Sequence, residues 1–309
     1  MCLRTATNQV QSSRPSIVGI CALTLLFGAL YFILRALPDA QCGFLHYEEI
    51  VNADGSIEFC ATNHAGFLDL TRLQYPVEMV ISLANESIPG MKQAVTLELF
   101  TPGGAPIAPH ELAITHTKKM HVMLIDPALQ DYHHVHPQAD GLNGRYTFEF
   151  TPNRAGVYRV LVEIVPLRTR RQVIATGEIA VAGAPSAVLF ENQTQCLVDG
   201  VCFNLRVPSE RLRSGSDYRL DLQVSTVDGM AVELQEIMGA KGHMVAFDGA
   251  GKGFAHMHPV DSVLAARSAG IEPELAFFFN VPNPGWYRLF AQVQVNGRQL
   301  FGHFDLNVE

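Results

Sequence analysis

The chain has 309 residues, enough for two ordinary domains, and 48% of them are hydrophobic, ample for buried cores. A net charge of −8 argues against a nucleic-acid partner, because phosphate binding needs a basic surface. No stretch is low-complexity or charge-dense enough to read as disordered.

The first element is an uncharged run of 18 residues, Ile17 to Leu34, near the length that crosses a hydrocarbon core of ~30 Å. Arg4 and Arg14 precede it, whereas Asp39, Glu48, Glu49, Asp54 and Glu58 follow, with no Lys or Arg between Arg35 and Arg72. The positive-inside rule therefore puts residues 1–16 in the cytoplasm and the bulk of the chain outside it. The run is longer than a signal h-region, Pro38-Asp39-Ala40-Gln41 is a poor cleavage site, and Gln41 before Cys42 is wrong for a lipobox, so an uncleaved single-pass anchor over 17–37 is expected.

Four cysteines follow in two local pairs, Cys42 with Cys60 and Cys196 with Cys202. Each pair encloses an Asp-Gly turn signal (Asp54-Gly55, Asp199-Gly200), so two disulfides clipping two hairpins are expected in an oxidising compartment. CxxC spacing, which a cysteine metal site would favour, is absent.

Beyond the first hairpin, Val95 to Leu99 alternates apolar and polar residues, the mark of a half-buried strand. A histidine block comes next, then a strand from Tyr146 to Thr151 and a corner Gly156-Val157-Tyr158-Arg159, and finally strands over Val160 to Val165 and Gly177 to Val181. The order then repeats: Tyr218 to Val224, a second histidine block, Leu275 to Val281, Gly285-Trp286-Tyr287-Arg288, Leu289 to Val295 and Gly302 to Val308. No window outside the first 37 residues has a capped helical stripe. The expected fold is all-β: two tandem Ig-like or cupredoxin-like sandwiches, 42–183 and 184–309, after the helix, joined at Gly183-Ala184-Pro185-Ser186. The second copy carries a longer stretch around Ser262 to Pro273.

The histidine block is the strongest signal. His121, His134, His136 and Pro137 recur as His243, His256, His258 and Pro259, each 122 positions later, and Lys119/Lys241 and Asp126/Asp248 keep the same offset. Residues i and i+2 of a strand share a face, so each His-x-His pair presents two imidazoles side by side, and the proline ends the strand. If the strand holding His121 or His243 is the hairpin partner, three imidazoles converge, which suits zinc or copper. The candidate metal ligands are thus His121, His134, His136, His243, His256 and His258, with His303 a further candidate. Met257 should point away from its histidine neighbours, and His133, unrepeated, should be solvated. His46, His64, His110 and His116 read as surface or turn residues.

The pattern Lys-x-His … His-x-His-Pro … Gly-x-Tyr-Arg resembles bacterial exported β-sandwich modules of the YtkA-like kind and their cupredoxin-like relatives, over about 110–135 residues in each half. That resemblance implies a tethered or periplasmic module associated with copper and heavy-metal handling, and a metal transporter or membrane complex as partner. The Cys-His-Met set of a blue-copper centre is missing. Two other readings stay open: a scaffold of a membrane complex with architectural histidines, and a zinc enzyme with three imidazoles and an open water position. Apart from Asp126/Asp248 in the turn, no carboxylate recurs as an obvious base, and no nucleophile elbow, phosphate loop or dinucleotide signature is present.

Overall fold

The computed structural model describes residues 17–36, 47–51, 57–61, 67–70, 77–208, 211–259 and 275–309; for 34–36, 47–51, 57–61 and 69 it describes the backbone alone. The chain divides into two compact units, Met1–Gly43 and Phe44–Glu309. The first holds the helix α1 (Ile17–Ala36), which carries exposed apolar side chains such as Leu25, Phe27 and Phe32. Among the described residues no helix is long and apolar enough to cross a membrane.

The second unit is built from strands: β1 (Tyr47–Val51), β2 (Ile57–Ala61), β3 (Leu68–Asp69), β4 (Glu78–Leu83), β5 (Gln93–Phe100), β6 (Met120–Ile125), β7 (Tyr132–Val135), β8 (Gln138–Ala139), β9 (Arg145–Phe150), β10 (Gly156–Ile164), β11 (Val173–Val181), β12 (Gln195–Val198), β13 (Val201–Arg206), β14 (Tyr218–Thr226), β15 (His243–Asp248), β16 (Gly253–Met257), β17 (Leu275–Phe279), β18 (Gly285–Val295) and β19 (Arg298–Val308). The alternation expected of half-buried strands is present, most plainly in β9, where exposed and buried residues alternate along its whole length.

The first sandwich pairs the sheet β4-β5-β9-β8 with the sheet β11-β10-β6-β7; the second pairs β12-β13-β14-β17 with β19-β18-β15-β16-β3. Each has its own core. Val95, Leu97, Phe148, Val122, Leu124 and Val160 fill the first, and Phe203, Leu222, Phe277, Met244, Leu289 and Phe304 the second. Each such side chain contributes about 1.5–3 kcal/mol by leaving water. Among the described residues one strand pairing crosses the boundary: β3, from upstream of the first sandwich, pairs with β16 of the second and covers its edge.

Strands β6 and β15 are buried at every position. Their even faces fill their own cores, and their odd faces meet each other. Met123, Ile125, Tyr132 and Leu161 of the first copy pack on Val245, Phe247, Phe254 and Phe290 of the second, with Tyr132 stacked on Phe290 at 5.0 Å between ring centres. The contact is isologous, as between two copies related by a twofold axis. The corner arginines show it. Arg159 of the first copy donates to the Gly251 carbonyl of the second, and Arg288 donates to the Leu129 carbonyl of the first at 3.0 Å. Leu129 and Gly251 are equivalent turn positions, with φ of 54° and 66°. The corner glycines, Gly156 and Gly285, have φ of 123° and 142°, a region only glycine enters freely.

The repeated Asp126 and Asp248 are turn caps. Asp126 accepts from the backbone N–H of Ala128, Gln130 and Asp131, and Asp248 from that of Lys252.

The cysteine expectation fails where it can be followed. Cys196 and Cys202 are free thiols. In the β12–β13 register Cys196 lies opposite Phe203 and Cys202 opposite Leu197, a one-residue offset that sends the two thiols to opposite faces of the sheet. The turn itself forms as read, with Asp199 and Gly200 at φ of 48° and 78°. Cys42, the side chain of Cys60, His46, His64 and the Ser262 to Pro273 stretch lie outside the described residues.

Candidate metal centre

The pairing of β6 with β7 sets Met123 opposite His134 and Val122 opposite Val135, so His121 falls across from His136 on the face that carries His134. The pairing of β15 with β16 does the same for His243, His256 and His258. Each set offers three imidazole nitrogens within 4.8 Å of one another, as a metal site requires. His121, His134 and His243 are 0%, 5% and 1% exposed.

Hydrogen bonds outside the cluster fix which nitrogens face inward. The Nε2–H of His121 donates to the Thr115 carbonyl at 2.9 Å, and that of His243 to the Ile237 carbonyl at 3.0 Å, equivalent positions in the two copies. The Nδ1–H of His134 donates to Gln292 Oε1 at 2.9 Å; the Gln292 amide is oriented by its own donation to Gln299. The Nδ1–H of His256 donates to the Glu163 carboxylate at 3.2 Å. A neutral imidazole has one N–H, so His121 and His243 turn a bare Nδ1 inward, and His134 and His256 a bare Nε2.

In the first set, His121 Nδ1 therefore faces His134 Nε2 at 3.2 Å, two lone pairs with no proton between them, and His136 Nε2 stands 3.3 Å from the same Nδ1. Those spacings match the edge of a tetrahedron whose centre lies about 2.0 Å from each nitrogen, the Zn–N distance. In the second set, His243 Nδ1, His256 Nε2 and His258 Nε2 are buried and have no hydrogen-bond partner. Lone pairs held this way repel one another unless a cation sits among them.

The two sets lie against each other. Ring centres of His134 and His256 are 5.4 Å apart, and those of His121 and His256 5.8 Å. A seventh imidazole joins them: His116, from the turn between Thr115 and Lys118, lies 3.6 Å from His258 between ring centres. The equivalent turn of the second copy has Met238 there, with φ of 53° against 48° at His116. Burial, reinforced by the neighbouring rings, drives His116 and His136 down to about 3 and His121 to about 4, and holds His134, His243 and His258 well below the ordinary imidazole value. Burial alone would raise the Glu163 carboxyl, but the His256 hydrogen bond and the surrounding imidazoles hold it at about 2.

The other histidines divide differently. His303 is exposed on β19 beside Arg288 and Asp305 and belongs to neither set, so it adds no ligand here. His133 is not solvated: it pairs with Asp131 at 3.0 Å and packs near Phe150 and Tyr158. Burial pushes the Asp131 carboxyl up, but His133, Tyr158 and Asn153 outweigh it and bring it to about 2. His110 is exposed, as expected. Met257 and Met244 point into the second core, away from the cluster. Lys119 turns aside to the Pro109 carbonyl.

Sequence reading missed His116, Glu163 and Gln292. The last two had a signal: they are polar residues at equivalent places seven residues after the corner glycines. His116 has none, because its copy is Met238.

Residues 76–180 and 196–309 each match one family profile, described as a domain of unknown function, DUF8832. No curated protein matches. Among solved structures, the chain is similar to the FdeC adhesin of Escherichia coli (14% identity over 86% of this chain and 74% of that one, TM-score 0.25). It is similar also to MtrC from Shewanella baltica OS185 (9% identity, 74% of this chain and 68% of that one, TM-score 0.24). A third is Salmonella alpha-2-macroglobulin (12% identity, 76% of this chain and 15% of that one, TM-score 0.26). At these TM-scores the likenesses carry no argument.

Proposed function

The chain belongs to the DUF8832 family, whose domain it carries twice, and we propose that it binds first-row transition metal ions, zinc or copper, between its two sandwiches. One observation carries the reading: outer hydrogen bonds force His121 Nδ1 and His134 Nε2 to face each other as lone pairs at 3.2 Å, buried. Three neutral imidazoles per site suit zinc and copper alike. Thioether ligands would favour Cu(I), but Met244 and Met257 lie in the second core and Met120 in the first.

The function is metal handling, by sequestration or delivery, outside the cytoplasm. The uncharged run Ile17 to Leu34, with arginines before it and carboxylates after it, supports a membrane anchor and a periplasmic body. A metal transporter or membrane complex is the partner this placement suits. No catalytic role is assigned.

Purified full-length protein, equilibrated with Zn²⁺ or copper and passed through a desalting column, is expected to retain two ions per chain by mass spectrometry of the metal. A His134→Ala/His256→Ala variant is expected to retain none. Retention of no ion by the wild-type chain, folded by circular dichroism, overturns the reading in favour of an architectural cluster.

A further inference from the structure

The two triads are built alike but supported unalike. Glu163 and Gln292 occupy the same place in β10 and β18. Glu163 lies opposite His121 in its own sheet, and Gln292 opposite His243 in its own. Each side chain nevertheless reaches across to the other copy, Glu163 to His256 and Gln292 to His134. The exchange is symmetric in geometry and asymmetric in charge. The set His243, His256 and His258 is backed by a buried carboxylate, 3% exposed; the set His121, His134 and His136 is backed by a neutral amide.

Resting on the metal reading above, we propose that the two sites are unequal: a tight divalent-ion site at His243, His256 and His258, filled first, and a weaker site at His121, His134 and His136, with Glu163 and Gln292 the positioning residues that set the order. Two physical effects act in the same direction. A carboxylate that accepts the outer N–H of a ligating histidine makes the inner nitrogen more basic, and such partners change metal affinity 10–100-fold. It also cancels one charge of a divalent ion. Three neutral imidazoles leave a buried site at +2, whereas the carboxylate brings it to +1, and the desolvation cost of a site grows with the square of its net charge. His116 is a further departure from symmetry, since its ring lies on His258 and its copy is Met238. The field of Glu163 reaches His121 as well, but its hydrogen bond goes to His256.

The order also makes each site depend on both copies. The ion at the second triad holds His256, which grips Glu163 of the first sandwich; the ion at the first holds His134, which grips Gln292 of the second. Filling the tight site therefore fastens the face on which the weaker site is assembled.

The test is a Zn²⁺ titration of the full-length chain against a chromophoric chelator. Wild type is expected to show two classes separated at least tenfold. Glu163→Gln, isosteric and without the charge, is expected to weaken the first class 10–100-fold and merge the two. The exchanged variant Glu163→Gln/Gln292→Glu is expected to restore two classes with the tight one moved: His134→Ala then removes it, whereas in the wild-type background His256→Ala does. Two ions of equal affinity in wild type, or an unchanged gap in Glu163→Gln, overturn the asymmetry while leaving the metal reading intact. No ion in wild type overturns both.

Discussion

Replacing His258 with phenylalanine separates a metal ligand from an architectural ring. Nε2 of His258 is buried without a partner, and the ring lies on His116. Phenylalanine keeps a ring on that stack and deletes the orphan nitrogen. A buried polar atom left unsatisfied costs about 1–3 kcal/mol, and the larger ring returns part of that as crowding. The metal-free variant should therefore match wild type or exceed it by about 1 kcal/mol. With metal the sign reverses. An ion bound by the folded state alone, at 100 times its Kd, adds about 2.7 kcal/mol, which in a unit of this size is roughly 5–10 °C in Tm. A site short of one of its three donors loses most of that. Thermal unfolding followed by circular dichroism, in EDTA and in Zn²⁺ at 100 times the wild-type Kd, reads both numbers. The expected result is a variant as stable as wild type in EDTA and at least ~5 °C less stable in zinc. Equal destabilisation in both solutions refutes the argument, because the ring would then be needed for folding and not for an ion.

Two arginines of the second copy predict a contrast. Arg288→Ala strands the buried Asp305 carboxylate, which it holds through two contacts of 2.6 Å, and should cost about 3–5 kcal/mol; Arg298→Ala breaks only an exposed pair with Asp199 and should cost at most about 1 kcal/mol, both read as urea midpoints at constant slope. The buried imidazoles predict a pH dependence. His121 is held at about 4 against an ordinary 6.5, so below that ordinary value the unfolded chain takes up the proton first. Stability of the metal-free protein should be full above about pH 6.5 and fall as the pH drops toward 4, by about 1.4 kcal/mol per pH unit for this one ring. Urea midpoints that stay level from pH 6.5 to 5 would mean that the ring is not held neutral.

Much of this was legible in the chain. Period-two alternation marks β5, β9 and β14 because one face of each meets a core and the other meets water. The doubled His-x-His-Pro block gives the triads, since strand geometry alone puts i and i+2 on one face. What the pattern could not give is how the two copies meet. Strands β6 and β15 are buried on both faces, so their sequences lack the polar positions that would have named an outer side. Glu163 and Gln292 act across that contact, and no local spacing connects them to His256 and His134. The Cys196–Cys202 expectation failed on a single-residue register, which an Asp-Gly turn signal does not fix by itself. His303 failed for a related reason: the β18–β19 pairing sets it opposite Phe290, on the face of the triad but two strands away from β15, so its ring lies beside Phe290 and not among the ligands.

The reciprocal grips of Arg159 and Arg288, like those of Glu163 and Gln292, mean that neither half is whole by itself. A chain built from one copy would display an apolar wall and a triad lacking one of its outer hydrogen bonds, and would have to borrow the missing partner from a neighbouring molecule. Fusion of two copies turns that borrowing into an intramolecular certainty, independent of concentration, and it frees the two halves to diverge. A single carboxylate-for-amide difference at the junction is already enough to make twins unequal.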